Sequence, residues 1–270
     1  MKKIAAVMLA LLIVLSAHSV FAGYIRLDTE VTSVVEKGGL KVSISLKNRG
    51  NEPAYNLQGE IETGDKRTSI KKKKELAVNE SYRVESLLGL DPVKPGTYPL
   101  TVTVYYTDIN QHPFSAVTCT IFVYEKETLP LIFGQIEPVT FSRKAALTLR
   151  LNNLDETGLK TSTRLVVPRE VTTEGETKEC LVPARGASSL LFHVKNFGAL
   201  PGSTYPVFCV TQFERGGRHH TAISRGSISI SEWDFFKEYR NYIFALVIIL
   251  LFFFIVLQIV LQFVKKGSKT

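Results

Sequence analysis

The stretch that decides the fold is Leu40-Lys-Val-Ser-Ile-Ser-Leu46. Apolar and polar side chains alternate strictly along it, so one side of an extended strand is apolar and the other is polar. A turn cluster containing Asn, Gly and Pro follows directly at 48–53. The combination predicts a half-buried β-strand that ends in a tight turn.

The same alternation recurs between residues 23 and 231, and no segment of this region has a helical period. It predicts further strands at 54–62, 81–88, 98–106, 114–124, 145–151, 159–167, 188–195, 205–213 and 221–230. Many short strands without long helices are typical of an all-β fold built from sandwiches.

Two short motifs occur twice in the chain. Pro95-Gly-Thr-Tyr98 returns as Pro201-Gly-Ser-Thr-Tyr205, and Leu46-Lys-Asn48 returns as Leu151-Asn-Asn153. The members of each pair are 107 and 105 residues apart, which indicates one duplicated unit with a small insertion. We therefore expect two domains of similar construction, joined at a polar segment, 125–130, that ends in proline.

The tyrosine of the first motif begins a late strand in both copies. Its position resembles the tyrosine corner of Ig-like sandwiches, in which the hydroxyl bonds to nearby backbone. The alternative is a core aromatic residue beside a turn. Leu100 and Val207 stand where antibody domains have the second cysteine, two residues after Tyr98 and Tyr205. The predicted domains are two tandem Ig-like β-sandwiches, at 23–126 and 127–231.

The first domain also resembles the CARDB-type repeats of prokaryotic surface proteins. The similarity lies in the turn and strand Asn48-Arg-Gly-Asn-Glu-Pro-Ala-Tyr-Asn-Leu57 and in Gly96-Thr-Tyr98 downstream. Leu57 stands where that pattern has Val, and the turn at 152–158 of the second domain lacks the glycine spacing. The resemblance implies a sandwich fold and a surface location, and it implies no activity.

Both ends of the chain carry targeting patterns. Residues 1–22 combine two lysines, an apolar run and Val20 and Ala22 before a cleavage site, which predicts a secretory signal peptide, with an uncleaved anchor as the alternative. Residues 243–264 form a run of about 22 residues that contains no charged residue, Gly or Pro. This length is sufficient for a transmembrane helix. Residues 232–242 form a juxtamembrane segment that contains aromatic residues.

Charge gives the orientation. The tail, residues 265–270, carries three lysines and no acid, so we expect it in the cytoplasm and the domains on the exported face of the inner membrane, in the periplasm or outside the cell. Removing the two signal lysines and these three from the net charge of +8 leaves +3 for the exported body. A body so close to neutral does not indicate a nucleic-acid partner.

Two groups of residues are candidate binding sites. Gln258 and Gln262 are four apart within the span and share one helix face, so they are candidates for pairing with a membrane partner or for snorkelling at the interface. A basic run is a candidate site for an anionic partner, although charged edge strands also serve to prevent aggregation. It comprises Lys66, Arg67, Lys71, Lys72, Lys73 and Lys74.

Three cysteines are too few for a disulfide-built scaffold, although a Cys180–Cys209 bridge within the second domain is a candidate in an exported protein. Cys119 shares strand parity with Val117 and Ile121 and is expected to face a core. His219 and His220 are neighbours whose side chains point to opposite sides of a strand, so we predict no metal site there.

The sequence contains no recognised catalytic motif, so we expect no enzyme activity and no cofactor. It favours a non-enzymatic, single-pass envelope membrane protein whose exported domains act as a binding or scaffold module in a larger assembly. One alternative is an accessory subunit of a transporter or glycan-export complex that pairs through its helix. Another is a carbohydrate-binding surface module. The predicted partners are the lipid bilayer and an envelope protein.

Overall fold

The computed structural model describes residues 23–37, 39–90, 94–175, 177–232, 239–246, 248, 249, 253 and 256. The chain is all-β between residues 27 and 230. The first half of this region, the N-terminal half (23–124), contains strands β1 (Leu27–Glu36), β2 (Gly39–Asn48), β3 (Ala54–Thr63), β4 (Lys66–Leu76), β5 (Ser81–Leu88), β6 (Gly96–Thr107) and β7 (Pro113–Tyr124).

The second half, the C-terminal half (131–231), repeats this arrangement with two additional short strands. Its strands are β8 (Ile132–Ile136), β9 (Val139–Phe141), β10 (Lys144–Asn153), β11 (Leu159–Val166), β12 (Val171–Glu174), β13 (Thr177–Val182), β14 (Ala187–Asn196), β15 (Thr204–Arg215) and β16 (Arg218–Ile230). All ten strands that the alternation predicts are confirmed.

The N-terminal half is a β-sandwich. A three-stranded sheet in the order β1-β2-β5 faces a sheet in the order β7-β6-β3-β4. The quoted stretch lies on β2, where Leu40, Val42, Ile44 and Leu46 are at most 2% exposed and form the centre of the core. The alternation of the sequence is therefore the alternation between core and solvent.

The C-terminal half is a second β-sandwich with its own core around Leu147, Leu149, Phe192 and Val207. Its sheets have the orders β12-β14-β10-β8 and β13-β11-β15-β16, and β9 pairs in parallel with the end of β16.

The repeated asparagine of the two halves has the same role in both. Asn48 is fully buried, donates to the carbonyl oxygens of Glu52 and Leu76, and accepts from the amide of Gly50. Asn153 is 2% exposed, donates in the same way to Thr157 and Val182, and accepts from an amide two residues on. Each side chain satisfies backbone groups that the turn would otherwise bury without partners.

The two halves join through one continuous sheet, because β16 pairs in parallel with the start of β6 at His219 and Gly96. A small apolar cluster lies between them, with Val117 and Cys119 from β7 against Phe208 and Val210 from β15. The odd-numbered face of β7 thus packs against the other half, while its even-numbered residues complete the N-terminal core. Cys119 is buried as predicted, although not in the core of its own half.

Residues 239–246, 248, 249, 253 and 256 are helical. Over the residues that the structure describes, no helix combines the length and apolar character needed to cross a bilayer. The predicted signal peptide (1–22), Gln258, Gln262, the tail (265–270) and most of the predicted span lie outside the described residues.

Candidate functional site

A groove of about 960 Å³ runs along one side of the N-terminal half. Its walls are the residues 23–31 leading into and along β1, and residues 114–118 with Thr120 on β7. Tyr205, Phe208 and Arg225 of the C-terminal half close one side of it. Within the described residues β1 and β7 are both edge strands, and the C-terminal half covers part of the outward edge of β7, because Val117 and Cys119 are buried against it.

A polar junction holds the two halves at the start of β6. The Nδ1–H of His219 donates to the carbonyl oxygen of Thr97 at 2.8 Å, and the hydroxyl of Thr221 donates to the same oxygen at 2.8 Å. The imidazole lies flat on the Tyr98 ring, with centroids 4.2 Å apart and planes 4° apart. Gly96 allows this approach, because a Cβ there would stand 2.0 Å from the His219 carbonyl oxygen.

A buried carboxylate forms a second link between the halves. Glu170 is 3% exposed, and its two oxygens accept from the amide of Ser115 at 2.6 Å and from its hydroxyl at 2.7 Å. The Ser115 hydroxyl in turn accepts from the amide of Arg169 at 2.9 Å. Ser115 of β7 is therefore hydrogen-bonded, through both its amide and its hydroxyl, to one turn of the C-terminal half. These bonds fix the relative position of the two halves.

Two ion pairs also connect the halves. The mostly buried Glu62 carboxylate binds Arg164 of the C-terminal half and, at 2.8 Å, Arg67 of its own half. Lys94 and Glu214 form a second pair at 2.5 Å, and this lysine lowers the pKa of the Glu214 carboxyl. The Lys94–Glu214 pair is exposed and therefore adds little stability. The Arg164–Glu62 pair is better shielded from solvent.

The predicted basic run lies on β4, which is an outer edge of the continuous sheet that joins the two halves. Arg67 is held by Glu60 and Glu62, and Lys73 by Glu80 at 2.8 Å, where the ion pair lowers the pKa of the Glu80 carboxyl. The remaining members of the run are exposed. This placement is the one expected of a charge-protected sheet edge, and binding of an anionic partner there stays a prediction.

The two repeated tyrosines both hydrogen-bond to backbone just upstream. The Tyr98 hydroxyl donates to the carbonyl oxygen of Lys94 at 2.7 Å, and burial raises the pKa of Tyr98. The Tyr205 hydroxyl accepts from the amide of Leu200 at 3.2 Å, and burial raises its pKa as well. The two contacts differ in direction, but each ties the preceding turn to the strand.

The predicted Cys180–Cys209 disulfide is wrong for this structure, in which the three cysteines are free. Cys180 on β13 lies opposite Thr161, whereas Cys209 on β15 lies opposite Leu165, with β11 between the two strands. Two strand spacings and four residues of offset separate the Cα atoms by roughly 16 Å, against an upper limit of about 7 Å for a bridge. Burial raises the pKa of the Cys119 thiol to about 11 and that of the Cys209 thiol to about 12.

The histidines of the last hairpin have separate environments. His219 stacks on Tyr98, while His220 is 6% exposed and stacks on Phe213 with ring centroids 4.9 Å apart. Burial lowers the pKa of His220, whose Nδ1 has no hydrogen-bond partner. Within the described ranges, no group of three His, Cys, Asp or Glu side chains is placed to hold a metal ion.

Sequence reasoning missed both the groove and the contacts between the halves. Glu170 follows an arginine in a turn, and nothing in its local pattern distinguishes a buried carboxylate from a solvated one. The groove depends on which edges face each other, which a pattern of alternation does not encode. The one available signal was the absence of charge along 113–124, which is unusual for an edge strand.

No family model matches this chain. No curated protein matches it either. Among solved structures, the native E. coli alpha-2-macroglobulin is 10% identical with a TM-score of 0.31, covering 76% of this chain and 17% of that one. The red sea bream transglutaminase is 11% identical with a TM-score of 0.28, covering 77% of this chain and 31% of that one.

The periplasmic chaperone SfaE is 13% identical with a TM-score of 0.31, and the match covers 76% of this chain and all of that one. This chain thus spans less than a third of the length of the first two proteins. At such scores the likeness says nothing about what this chain binds or does.

Proposed function

We propose that this chain is a non-enzymatic, single-pass membrane protein of the cell envelope. Its two halves are tandem Ig-like domains, 23–126 and 127–231, that stand on the exported side as one binding or scaffold module. The segment 243–264 anchors the module, and residues 265–270 lie in the cytoplasm. The module acts through its surface, by holding a partner polypeptide of an envelope assembly.

The observation that carries this proposal is how firmly the two halves are joined. The sheet continues from one half to the other at His219, and the buried Glu170 and the cluster around Phe208 lie between them. Joined domains present a fixed surface, so a partner that contacts both halves does not have to order a flexible linker on binding. A groove lined by both halves supports the same function.

The sequence at both ends supports export and anchoring. A lysine-led apolar segment precedes the described strands, and a run of about 22 uncharged residues follows them. The three lysines after that run favour a cytoplasmic tail.

Topology reporters test the proposal. A periplasmically active phosphatase fused after Ser231 should be active in cells, whereas the same enzyme fused after Thr270 should be inactive. Alkaline carbonate should leave the intact chain in the membrane pellet and release the 23–231 fragment. The reverse reporter pattern, or extraction of the intact chain by carbonate, would contradict the proposal.

The alternative in which the span itself binds a membrane partner rests on Gln258 and Gln262. An amide within hydrocarbon gains about 0.6–2 kcal/mol from an interhelical hydrogen bond. Under this alternative, Gln258→Leu abolishes co-purification with a membrane partner, while Gln258→Asn retains part of it. Unchanged co-purification of Gln258→Leu would count against it.

A further inference from the structure

The last strand shows which end of the exported body lies nearest the predicted span. β16 stops at Ile230, and the next amide, that of Ser231, donates to the carbonyl oxygen of Phe141 at 3.0 Å, so the body holds the chain up to this point. Residues 232–242 then lead to the apolar run that begins at residue 243. We call the end of the body at which β16 stops the exit end.

The loop between β14 and β15 lies at the exit end. The amide of Gly202 donates to the carbonyl oxygen of Ile230 at 2.7 Å, and the amide of Ile230 donates to that of Ser203 at 2.9 Å. The tip of this loop carries Phe197, which is 79% exposed, and Leu200, which is 41% exposed. No large apolar side chain in the described part of the chain is more exposed than Phe197. Burying it against an apolar partner would be favourable.

The N-terminal half brings a second apolar tip to the same end. β6 runs parallel to β16, so the turn after β6, residues 108–112, lies beside the end of β16. Glu170 links the two tips, because its carbonyl oxygen accepts from the amide of Phe197 while its carboxylate binds Ser115 at the start of β7. Ile109 stands on the turn and is 65% exposed.

The segment that leads into β1 adds an aromatic side chain. The carbonyl oxygen of Tyr24 accepts from the amides of Asn51 and Glu52, in the turn before β3, and β3 begins beside the end of β6. Tyr24 itself is exposed. Both halves thus contribute to a set of apolar tips at the exit end, which are Tyr24, Ile109, Phe197 and Leu200.

The opposite end of the body also carries exposed apolar side chains, but it lies farther from the span. Leu129 is 78% exposed there, next to Thr128, whose hydroxyl bonds to that of Thr97 at the start of β6. β16 has 13 residues and spans roughly 43 Å, which separates the two ends. Residues 232–242 extend at most roughly 40 Å. This tether holds the exit end near the bilayer, whereas the opposite end reaches lipid only if the body lies on its side.

Both signs of charge occur at the exit end, and several of the charges are paired. Arg26 and Arg49 each bind Asp28 at 3.3 Å, and Lys195 binds Glu174. Mixed charge gives no strong preference for anionic lipid, which attracts clusters of Lys and Arg. A contact with the membrane at this end therefore rests on the apolar tips, and zwitterionic lipid satisfies it.

We propose that the exit end of the exported body lies against the bilayer, with these four tips in its interfacial layer. The proposal rests on the envelope function above and adds a second membrane contact, made by the body itself. Aromatic and large apolar side chains are favoured at this depth. Because the span tethers the body, the tips meet lipid at a high effective concentration, so a contact too weak for a free domain is populated. The contact sets the height and tilt of the binding module above the membrane.

Tryptophan fluorescence of the intact chain in phosphatidylcholine nanodiscs tests this contact. Trp233→Phe removes the only tryptophan of the sequence, and Phe197→Trp, Ile109→Trp and Leu129→Trp then introduce one reporter at a time. Each variant is measured with ordinary lipid and with lipid whose acyl chains carry bromine, which quenches nearby indoles. We expect bromine to lower the emission at positions 197 and 109 at least about twofold and to leave that at position 129 unchanged.

A charged residue at the loop tip should remove the contact. With the reporter at position 109, Phe197→Asp should restore the emission in brominated lipid, whereas Leu129→Asp should not. The two side chains are matched controls because they are almost equally exposed, at 79% and 78%. Neither substitution should alter the fold, which circular dichroism checks.

Unquenched emission at position 197 or 109 would overturn the proposal, and so would equal quenching at position 129 or an unchanged signal in Phe197→Asp. The topology reporters and the carbonate extraction respond to none of these outcomes. Failure of the surface contact is therefore distinguishable from failure of the envelope function.

Discussion

Replacing Glu170 with alanine should loosen the junction between the two halves. The carboxylate is 3% exposed and accepts two short hydrogen bonds from Ser115, one from its amide and one from its hydroxyl. The substitution removes both acceptors and leaves the Ser115 amide buried without a partner, because that amide points away from β6. Ser115 itself is 7% exposed, so water has little access to replace the carboxylate.

The expected loss follows from these contacts. A hydrogen bond to a charged group contributes about 1.5–3 kcal/mol, and a buried donor without a partner costs about 1–3 kcal/mol. Because the two bonds share one carboxylate and are not additive, we expect Glu170→Ala to lower the free energy of unfolding by about 2–4 kcal/mol. Glu170→Gln retains an acceptor for the amide and should cost about 1–2 kcal/mol.

Urea unfolding of the 23–231 fragment, which holds all sixteen described strands and both cores, measures the effect. A double-mutant cycle with Ser115→Ala should give a coupling energy of at least about 1 kcal/mol. Glu156→Ala, at a side chain that is 83% exposed, is the control and should change stability by less than about 0.5 kcal/mol. Additive single effects, or a loss for Glu170→Ala no larger than that of the control, would refute the role of this carboxylate.

Gly96→Ala should lower the free energy of unfolding by about 2 kcal/mol or more, because the new Cβ would lie 2.0 Å from a carbonyl oxygen of the neighbouring strand. A urea unfolding curve identical to that of the wild type would contradict this prediction. Burial lowers the folded-state pKa of His220, so the unfolded state binds more protons and stability should fall as the pH drops below about 6.5. His220→Gln should remove this part of the pH dependence, and an unchanged profile would show that another group causes it. In the native chain, Cys119 and Cys209 should resist labelling by iodoacetamide at pH 8, whereas Cys180 should be labelled, and mass mapping would detect the difference. Equal labelling of all three, or a Cys180–Cys209 crosslink, would contradict the assignment of buried, unbridged thiols to Cys119 and Cys209.

The strands with one buried face could be predicted from the sequence, because their alternation directly records core and solvent. The stretch at Leu40 is the clearest case, and its four apolar residues are all in the N-terminal core. The repeated Pro-Gly and Asn motifs predicted a duplicated unit, and each Asn satisfies the backbone of the corresponding turn in its half.

The edge strands were harder to predict. β4 is so rich in lysine that its charge hides the alternation of Ile70 and Leu76, which are its two buried residues. No residue of β1 is fully buried and Val34 is exposed, so its apolar residues show weak contrast with their neighbours. β8 and β9 are short and separated by Pro138, and alternation over three to five residues gives little signal.

The candidate site lay beyond sequence reasoning for a different reason. Phe208 and Val210 break the alternation of β15 because that strand is buried on both faces, and the second face packs against Val117 and Cys119, about 90 positions away. The disulfide prediction was wrong because strand parity places Cys180 and Cys209 on one face but says nothing about their offset along it.

Hydrogen exchange along β7 tests the central claim most directly, that the two halves are joined into one body at this strand. The intact chain in nanodiscs and its Glu170→Ala variant are exchanged side by side, with readout at single amides. The Ser115 amide, which donates to Glu170, should be protected in the wild-type chain and should exchange faster in the variant, while the amides of β2 keep their protection in both. A Ser115 amide that exchanges as fast in the wild-type chain as in the Glu170→Ala variant would contradict the account.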